Sequence, residues 1–336
     1  MFKWGLVFGL VSTLIGYAII AAVIAQRLTQ PRRRYPNIEP TAVGLDYEDV
    51  WFPARGETLN LAAWHVPSPA ATRAVIIVHG LHGCRGKEFS VRSLALLAHL
   101  VQSGFTVLAL DLRGHGESDP ARVTYGIRER RDVLGAVDWL LAHGYAAGTI
   151  GVLGLSMGGV AGIGAAGEEP AIGALVIDSA FADFRVMIRA HFQSYSKLPP
   201  FFLPGALLVA RLLTGEWLAE LRPVEQMKAL TYRPVLVIHA RGDRLVPVAH
   251  AQEFALAGNA ELRLTDGESH LSSFGADPFA YSSRVAQFFV TALATPVPAV
   301  PQMRIAREVG SMLNRFADRT SELTTTERSF RRKGSQ

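Results

Sequence analysis

Ile150-Gly-Val-Leu-Gly154-Leu155-Ser156-Met157-Gly158-Gly159 is the stretch on which the reading of this chain turns. Its first six residues are apolar or glycine, as in a strand buried on both faces. A serine follows at once, and the small-residue run Gly159–Ala166 then reads as a helix. A nucleophile on so sharp a strand-to-helix turn needs small residues two positions to either side, because its strained backbone packs close to its neighbours. The helix starting there aims backbone N–H groups and its positive dipole end at the reacting centre. Ser156 is therefore the candidate nucleophile.

Outward from this stretch the pattern repeats. Ala74–Val78, Phe105–Leu110, Ala174–Ile177, Val235–His239 and Glu261–Leu264 are further short apolar runs of the kind buried in a parallel sheet. Helical patterns lie between them, with Val133, Val137, Leu140 and Leu141 on one face. Upstream, Leu45–Phe52 and Leu59–Val66 alternate with period two and read as antiparallel strands across the Pro53–Glu57 turn. Together these predict an α/β fold with a doubly wound, mostly parallel sheet of about eight strands. One connection is too long for a simple crossover. Residues 181–232, rich in aromatic and apolar groups, predict a small helical cap, and Phe181, Phe184, Phe192 and Tyr195 are its candidate substrate-binding residues.

A serine nucleophile needs a base, and the base an orienting acid, in the chain order Ser, acid, His on loops after later strands. His270, in Gly267-Glu-Ser-His270, and Asp243, in Arg241-Gly-Asp243-Arg, stand where that order requires. Asp178, ending the preceding strand, is the alternative acid. His239 reads as a strand-end histidine bonded to backbone, and His115 as part of a structural turn in Asp111-Leu-Arg-Gly-His-Gly-Glu-Ser118. An oxyanion hole needs two convergent backbone donors. The N–H of Met157 and that of Leu81, in His79-Gly-Leu-His-Gly83, are the candidates. No HExxH, GxxxxGK[ST] or CxxC motif occurs, so no metal or cofactor is expected. The single cysteine, Cys84, excludes an intrachain disulfide and reads as a small packed residue.

The net charge of +5 comes from the two ends. Residues 1–34 hold five basic groups and no acid, and residues 302–336 hold eight basic and four acidic groups, leaving 21 basic against 25 acidic between them. Nucleic-acid binding by the core thereby loses its main support. Near the start, 22 residues from Trp4 to Ala25 carry no charge, enough to cross the ~30 Å hydrocarbon layer and about twice the length of a signal-peptide core. Val23-Ile-Ala25 offers a cleavage site to the rival reading, a removed signal, but Arg27 and Arg32-Arg33-Arg34 directly after the segment oppose translocation. The expectation is a single-pass anchor with the following domain on the cytoplasmic side.

At these residues the chain resembles the α/β-hydrolase superfamily, and within it the monoglyceride-lipase-like and serine-aminopeptidase-like branch. His79-Gly80, Asp111–Ser118, Gly154–Gly158, Gly242-Asp243 with Val246-Pro247, and Gly267–His270 match in order and spacing. The resemblance covers about Leu45 to Leu293 and implies an acyl-enzyme mechanism through Ser156, His270 and Asp243. Serine at the elbow sets it apart from dehalogenases and epoxide hydrolases, which use Asp there, and from dienelactone hydrolases, which use Cys. The expected organisation is a transmembrane anchor at 1–29, a basic, proline-containing linker at 30–44, the hydrolase domain at 45–295, and a polar basic tail at 296–336 with a helical stripe at Ile305–Phe316. The expected function is hydrolysis of carboxylic esters or thioesters, including lipid-derived ones. A membrane-anchored serine peptidase or amidase is the alternative, and a non-catalytic binding protein a further one.

Overall fold

The computed structural model describes residues 2–86 and 93–293, so the tail expected at 296–336 lies outside the described residues. The chain opens with helix α1 (Phe2–Thr29), then the antiparallel strands β1 (Glu48–Pro53) and β2 (Asn60–Val66). Strand and helix alternate next, through β3 (Ala74–Val78), α2 (Ser93–Gln102), β4 (Thr106–Leu110), α3 (Glu129–Ala142), β5 (Ile150–Leu155), α4 (Met157–Glu168) and β6 (Ile172–Asp178). Helices α5 (Phe184–Ser196), α6 (Leu203–Thr214) and α7 (Pro223–Met227) fill the long connection. The chain returns through β7 (Val235–Ala240), α8 (Ala249–Gly258), β8 (Glu261–Thr265), α9 (Ser273–Ala276) and α10 (Pro278–Ala292).

The eight strands form one sheet in the order β1-β2-β4-β3-β5-β6-β7-β8. β2 is antiparallel to both its neighbours, and all pairs from β4 to β8 are parallel. Helices cover both faces, which is why β4, β5, β6 and β7 are apolar without alternation and wholly buried. The strand order reverses beside β3, so the carboxyl ends of β3 and β5 open onto the crevice where ligands bind in such sheets. The long connection is helical as expected. Asp183 caps α5 by accepting from Val186 N–H at 3.0 Å. Lys197, at φ 60°, and the prolines at 199 and 200 then end it, and the chain bends by 118° into α6.

Helix α1, the expected anchor, has two unlike halves. Its stretch Leu6–Thr29 contains an 18-residue window of mean hydropathy 2.4 and is long enough to cross a membrane, and Trp4 and Leu6–Ile15 stand exposed. From Tyr17 onward, however, the helix is docked on the domain. Tyr17 Oη–H donates to Phe201 O at 3.0 Å, and its ring lies over Gly205, where a Cβ would meet Tyr17 Cε1 at 2.6 Å. Ala21, Ile24, Ala25 and Leu28 are buried in the core. Thr29 O accepts from Val123 N–H at 2.8 Å, and Leu28 O from Tyr125 Oη–H at 3.0 Å. A surface that is apolar on every side suits lipid and protein equally, so hydropathy alone did not distinguish the two halves.

Two buried ion pairs hold the loop between β4 and α3. Arg85 pairs with Asp111 at 2.6 Å and also reaches Asp49 and Glu117. Arg113, in the same loop, makes a fork with Asp132 of α3 at 2.6 and 2.9 Å. Both side chains of the second pair are out of water. Arg113 also reaches the partly exposed Glu57 at 3.0 Å, so removing Asp132 leaves the buried guanidinium only its outer partner, at a cost of about 3–5 kcal/mol. Asp132→Ala is therefore expected to lower the unfolding free energy by about that amount in urea titration, and a loss below ~1 kcal/mol would show that the pair is dispensable.

Candidate active site

Ser156 sits between the end of β5 and the first residue of α4. Its backbone is at φ 52°, ψ −114°, a region costly for any residue with a Cβ. Two close approaches sustain it. A Cβ on Gly154 would come within 2.5 Å of Gly158 O, and one on Gly158 within 2.6 Å of His79 O at the end of β3. The turn is pinned from the other side by Ser156 N–H donating to Asp178 O at 2.8 Å. These contacts are the reason for glycine two residues either side of the serine.

The structure brings three of the expected residues into one line. Ser156 Oγ–H donates to His270 Nε2 at 2.9 Å, and His270 Nδ1–H donates to Asp243 Oδ2 at 2.7 Å. Asp243 reaches forward from the loop after β7, and His270 from the loop after β8. Gly242 N–H donates to Gly267 O at 2.9 Å, which ties the two loops together; a Cβ on Gly242 would stand 2.6 Å from Glu268 Cα. The second oxygen of Asp243 accepts from Leu245 and Val246 N–H, both at 2.9 Å. Burial pushes this carboxyl up, but the hydrogen bond and charge of His270 and the Val246 N–H outweigh it, and the group is held below its ordinary value.

The alternative acid is placed elsewhere. Asp178 Oδ1 accepts from Ser179 Oγ–H at 2.9 Å and from Ser273 Oγ–H at 3.4 Å, and burial raises its carboxyl to about 6. His239, also buried, donates through Nε2–H to Val246 O at 2.7 Å. Cys84 is buried beside Arg85.

Leu81 and Met157 both line the cavity at Ser156, and among the described residues the N–H of neither is taken by another acceptor. Two histidines support this loop: His79, from the oxyanion motif itself, and His115, from the turn read as structural. Burial drives His79 down to about 4 and His115 to about 3, so both rings are neutral, with one donor and one acceptor nitrogen each. His79 donates to Gly80 O at 2.7 Å and accepts from Leu112 N–H at 3.0 Å. His115 donates to Arg113 O at 2.9 Å and accepts from His82 N–H at 3.2 Å. The loop carrying Leu81 is thereby fastened to the loop that Arg113 anchors. The glycine and histidine pattern marked both loops, but not which nitrogen meets which N–H.

A cavity of about 240 Å3 opens on Ser156 and His270. Of the four aromatic residues expected to bind substrate, Phe181 and Tyr195 line it. Phe184 and Phe192 do not: they are buried in the core, Phe184 with its ring 4.7 Å from that of Tyr125. Their places on the wall are taken by Tyr125, Met187, Ile188 and Leu28, the last from α1. Helical spacing explains the exchange. Met187, His191 and Tyr195 recur every four residues on the face of α5 turned to the cavity, with Ile188 at its edge, while Phe184 and Phe192 lie on the neighbouring buried side.

Comparison with known proteins agrees with this architecture. Uncharacterized protein YqkD of Bacillus subtilis is 26% identical over 234 residues, covering 68% of this chain and 75% of its own length. Uncharacterized protein YfhR of Escherichia coli K12 is 26% identical over 259 residues, with 73% and 81% covered. Among solved structures, the Pyrococcus furiosus esterase Pf2001 superposes with a TM-score of 0.66 at 25% identity, covering 79% of this chain and 98% of its own. Est1E of Butyrivibrio proteoclasticus, solved with ferulic acid, shares the fold at a TM-score of 0.58 and 22% identity, with 73% and 100% covered. The model of the alpha/beta hydrolase family matches residues 75–287, well over half the chain and all of the sheet from β3 to β8, and the chain belongs to that family.

Proposed function

We propose that the chain is a serine hydrolase that cleaves carboxylic esters of apolar acyl groups, with Ser156 as nucleophile, His270 as base and Asp243 as its orienting acid. The observation that carries this reading is the unbroken hydrogen-bonded line Ser156–His270–Asp243 at 2.9 and 2.7 Å, set on a strained turn at the mouth of an apolar cavity. Ser156 Oγ attacks the ester carbonyl carbon while its proton passes to His270 Nε2. The carbonyl oxygen gains the electron pair and is met by the N–H groups of Leu81 and Met157. The C–O bond to the alcohol then breaks, and the alcohol departs with the proton from His270. Water attacks the acyl-enzyme by the same route, releasing the carboxylic acid. The esterase named among the structural neighbours at 25% identity supports the same chemistry.

Residues 181–232 act as the cap, and its α5 supplies the acyl-binding wall. We further read α1 as a retained membrane anchor with the domain on the cytoplasmic side. Retention fits the hydrogen bonds that tie Leu28 and Thr29 into the domain, and the orientation fits the arginines at 27 and 32–34.

A series of p-nitrophenyl esters tests the acyl preference. Each methylene moved from water into the cavity contributes about 0.8 kcal/mol, or nearly fourfold. kcat/KM is expected to rise from acetate toward hexanoate at roughly that rate and level off once the cavity fills. A flat or falling series would remove the acyl-binding role.

A further inference from the structure

Building on the ester-hydrolase reading, we infer that the substrate is an acyl ester of a membrane lipid, whose chain reaches Ser156 sideways through a groove between α1 and the end of α5. The catalytic cavity, at about 240 Å3, is smaller than the ~300–1,000 Å3 usual for small-molecule sites. A long acyl chain must leave it. A second, larger hollow of about 750 Å3 adjoins it, sharing His82 and Tyr195. One wall of that hollow is α1 itself, through Ile19, Ile20, Val23 and Ile24, and the facing wall includes Leu198 just after α5. The two hollows meet at His82 and Tyr195, between the exposed surface of α1 and the nucleophile.

Three observations commit this groove to a lipid. Helix α1 is docked from Tyr17 onward while Leu6–Ile15 stand exposed, so its apolar surface runs without a break onto the domain surface beside Tyr17. With α1 in a bilayer, the docked surface formed by Phe201 and helix α6 meets the interface. That surface is apolar: Phe201, Leu208 and Leu212 are 60%, 52% and 77% exposed. At the polar end of the groove stand Arg27 and Arg32, exposed and without an ion-pair partner among the described residues, at the level suited to headgroup phosphates. The helix that holds the enzyme at the bilayer is in this arrangement also a rail along which the acyl chain is drawn.

Closing the groove tests this. Val23 lines it, is 48% exposed and lies away from the triad. The readout is the ratio of kcat/KM for 4-methylumbelliferyl oleate, carried in vesicles of phosphatidylcholine and phosphatidylglycerol, to that for the soluble acetate. Each methylene kept out of the groove costs roughly fourfold, so Val23→Trp is expected to lower the ratio by about tenfold or more. As a second route, Val23→Cys is alkylated in detergent with a bulky maleimide. The only native cysteine, Cys84, is buried. The ratio should match wild type before alkylation and fall by about the same factor after it. A ratio unchanged by both the tryptophan and the alkylated cysteine overturns the groove as the acyl path. Full-length protein silent toward the acetate as well refutes the hydrolase reading itself, and the groove proposal falls with it.

Discussion

Ser156→Ala is expected to lower ester turnover by on the order of 10^6-fold and to abolish labelling by a fluorophosphonate probe. The reason lies in how the three side chains act together. His270 can raise the nucleophilicity of an oxygen only if that oxygen stands within hydrogen-bond reach, as Ser156 Oγ does at 2.9 Å. With a methyl group there, the base has no proton to take, and only the oxyanion donors and substrate binding remain to favour the reaction. For the same reason His270→Ala is expected to cost nearly as much, and the double variant little more than either alone. The fold should survive the serine change, because the strain at φ 52° is sustained by Gly154, Gly158 and the Ser156 N–H bond to Asp178 O, none of which involves the hydroxyl. Unaltered thermal unfolding together with absent labelling would establish the role. Persistent labelling of Ser156→Ala at the wild-type rate would move the nucleophile elsewhere.

Much of this was legible in the sequence because it rests on local rules. A strand buried on both faces leaves an apolar run, and β4 to β7 fell where such runs were read. The glycines flanking Ser156 encode the approach of Gly158 to His79 O, a contact across two strand ends that no side chain other than glycine allows. Asp243 and His270, read from their place after successive strands, stand in one hydrogen-bonded line with Ser156. What was not legible depended on which surface meets which. Phe184 and Tyr195 are equally aromatic, and only the rotation of α5 against the sheet sends one to the core and the other to the cavity. Helix α1 gave a uniform apolar signal, although half of it packs on α6 and contributes Leu28 to the cavity wall. Small residues at Ala21, Ala25 and Gly205 were the available sign that helices approach closely there. The pairing of His115 with His82 N–H was likewise hidden, since a neutral buried histidine and an exposed charged one are the same letter.

Asp243→Asn is expected to cost about 10^4-fold in kcat, while Asp178→Asn should stay within a few fold of wild type. The backbone decides how the new amide would sit. Oδ1 of Asp243 is held by the N–H groups of Leu245 and Val246, which need an acceptor. An asparagine must therefore keep its carbonyl oxygen there and turn its NH2 toward His270. Facing a donor, His270 Nδ1 has to become the acceptor, so the ring proton moves to Nε2. A protonated Nε2 cannot take the Ser156 proton, and the imidazolium formed in the transition state also loses its counter-charge. The variant remains isosteric and folded, so the loss should fall on kcat with KM little changed. Asp178 differs on both counts. Its carboxyl accepts from Ser179 and Ser273, and none of its hydrogen bonds reaches His270. Steady-state kinetics of the two variants on the same p-nitrophenyl ester separates the assignments. Near-normal turnover in Asp243→Asn with collapse in Asp178→Asn would transfer the role of acid from the loop after β7 to the end of β6.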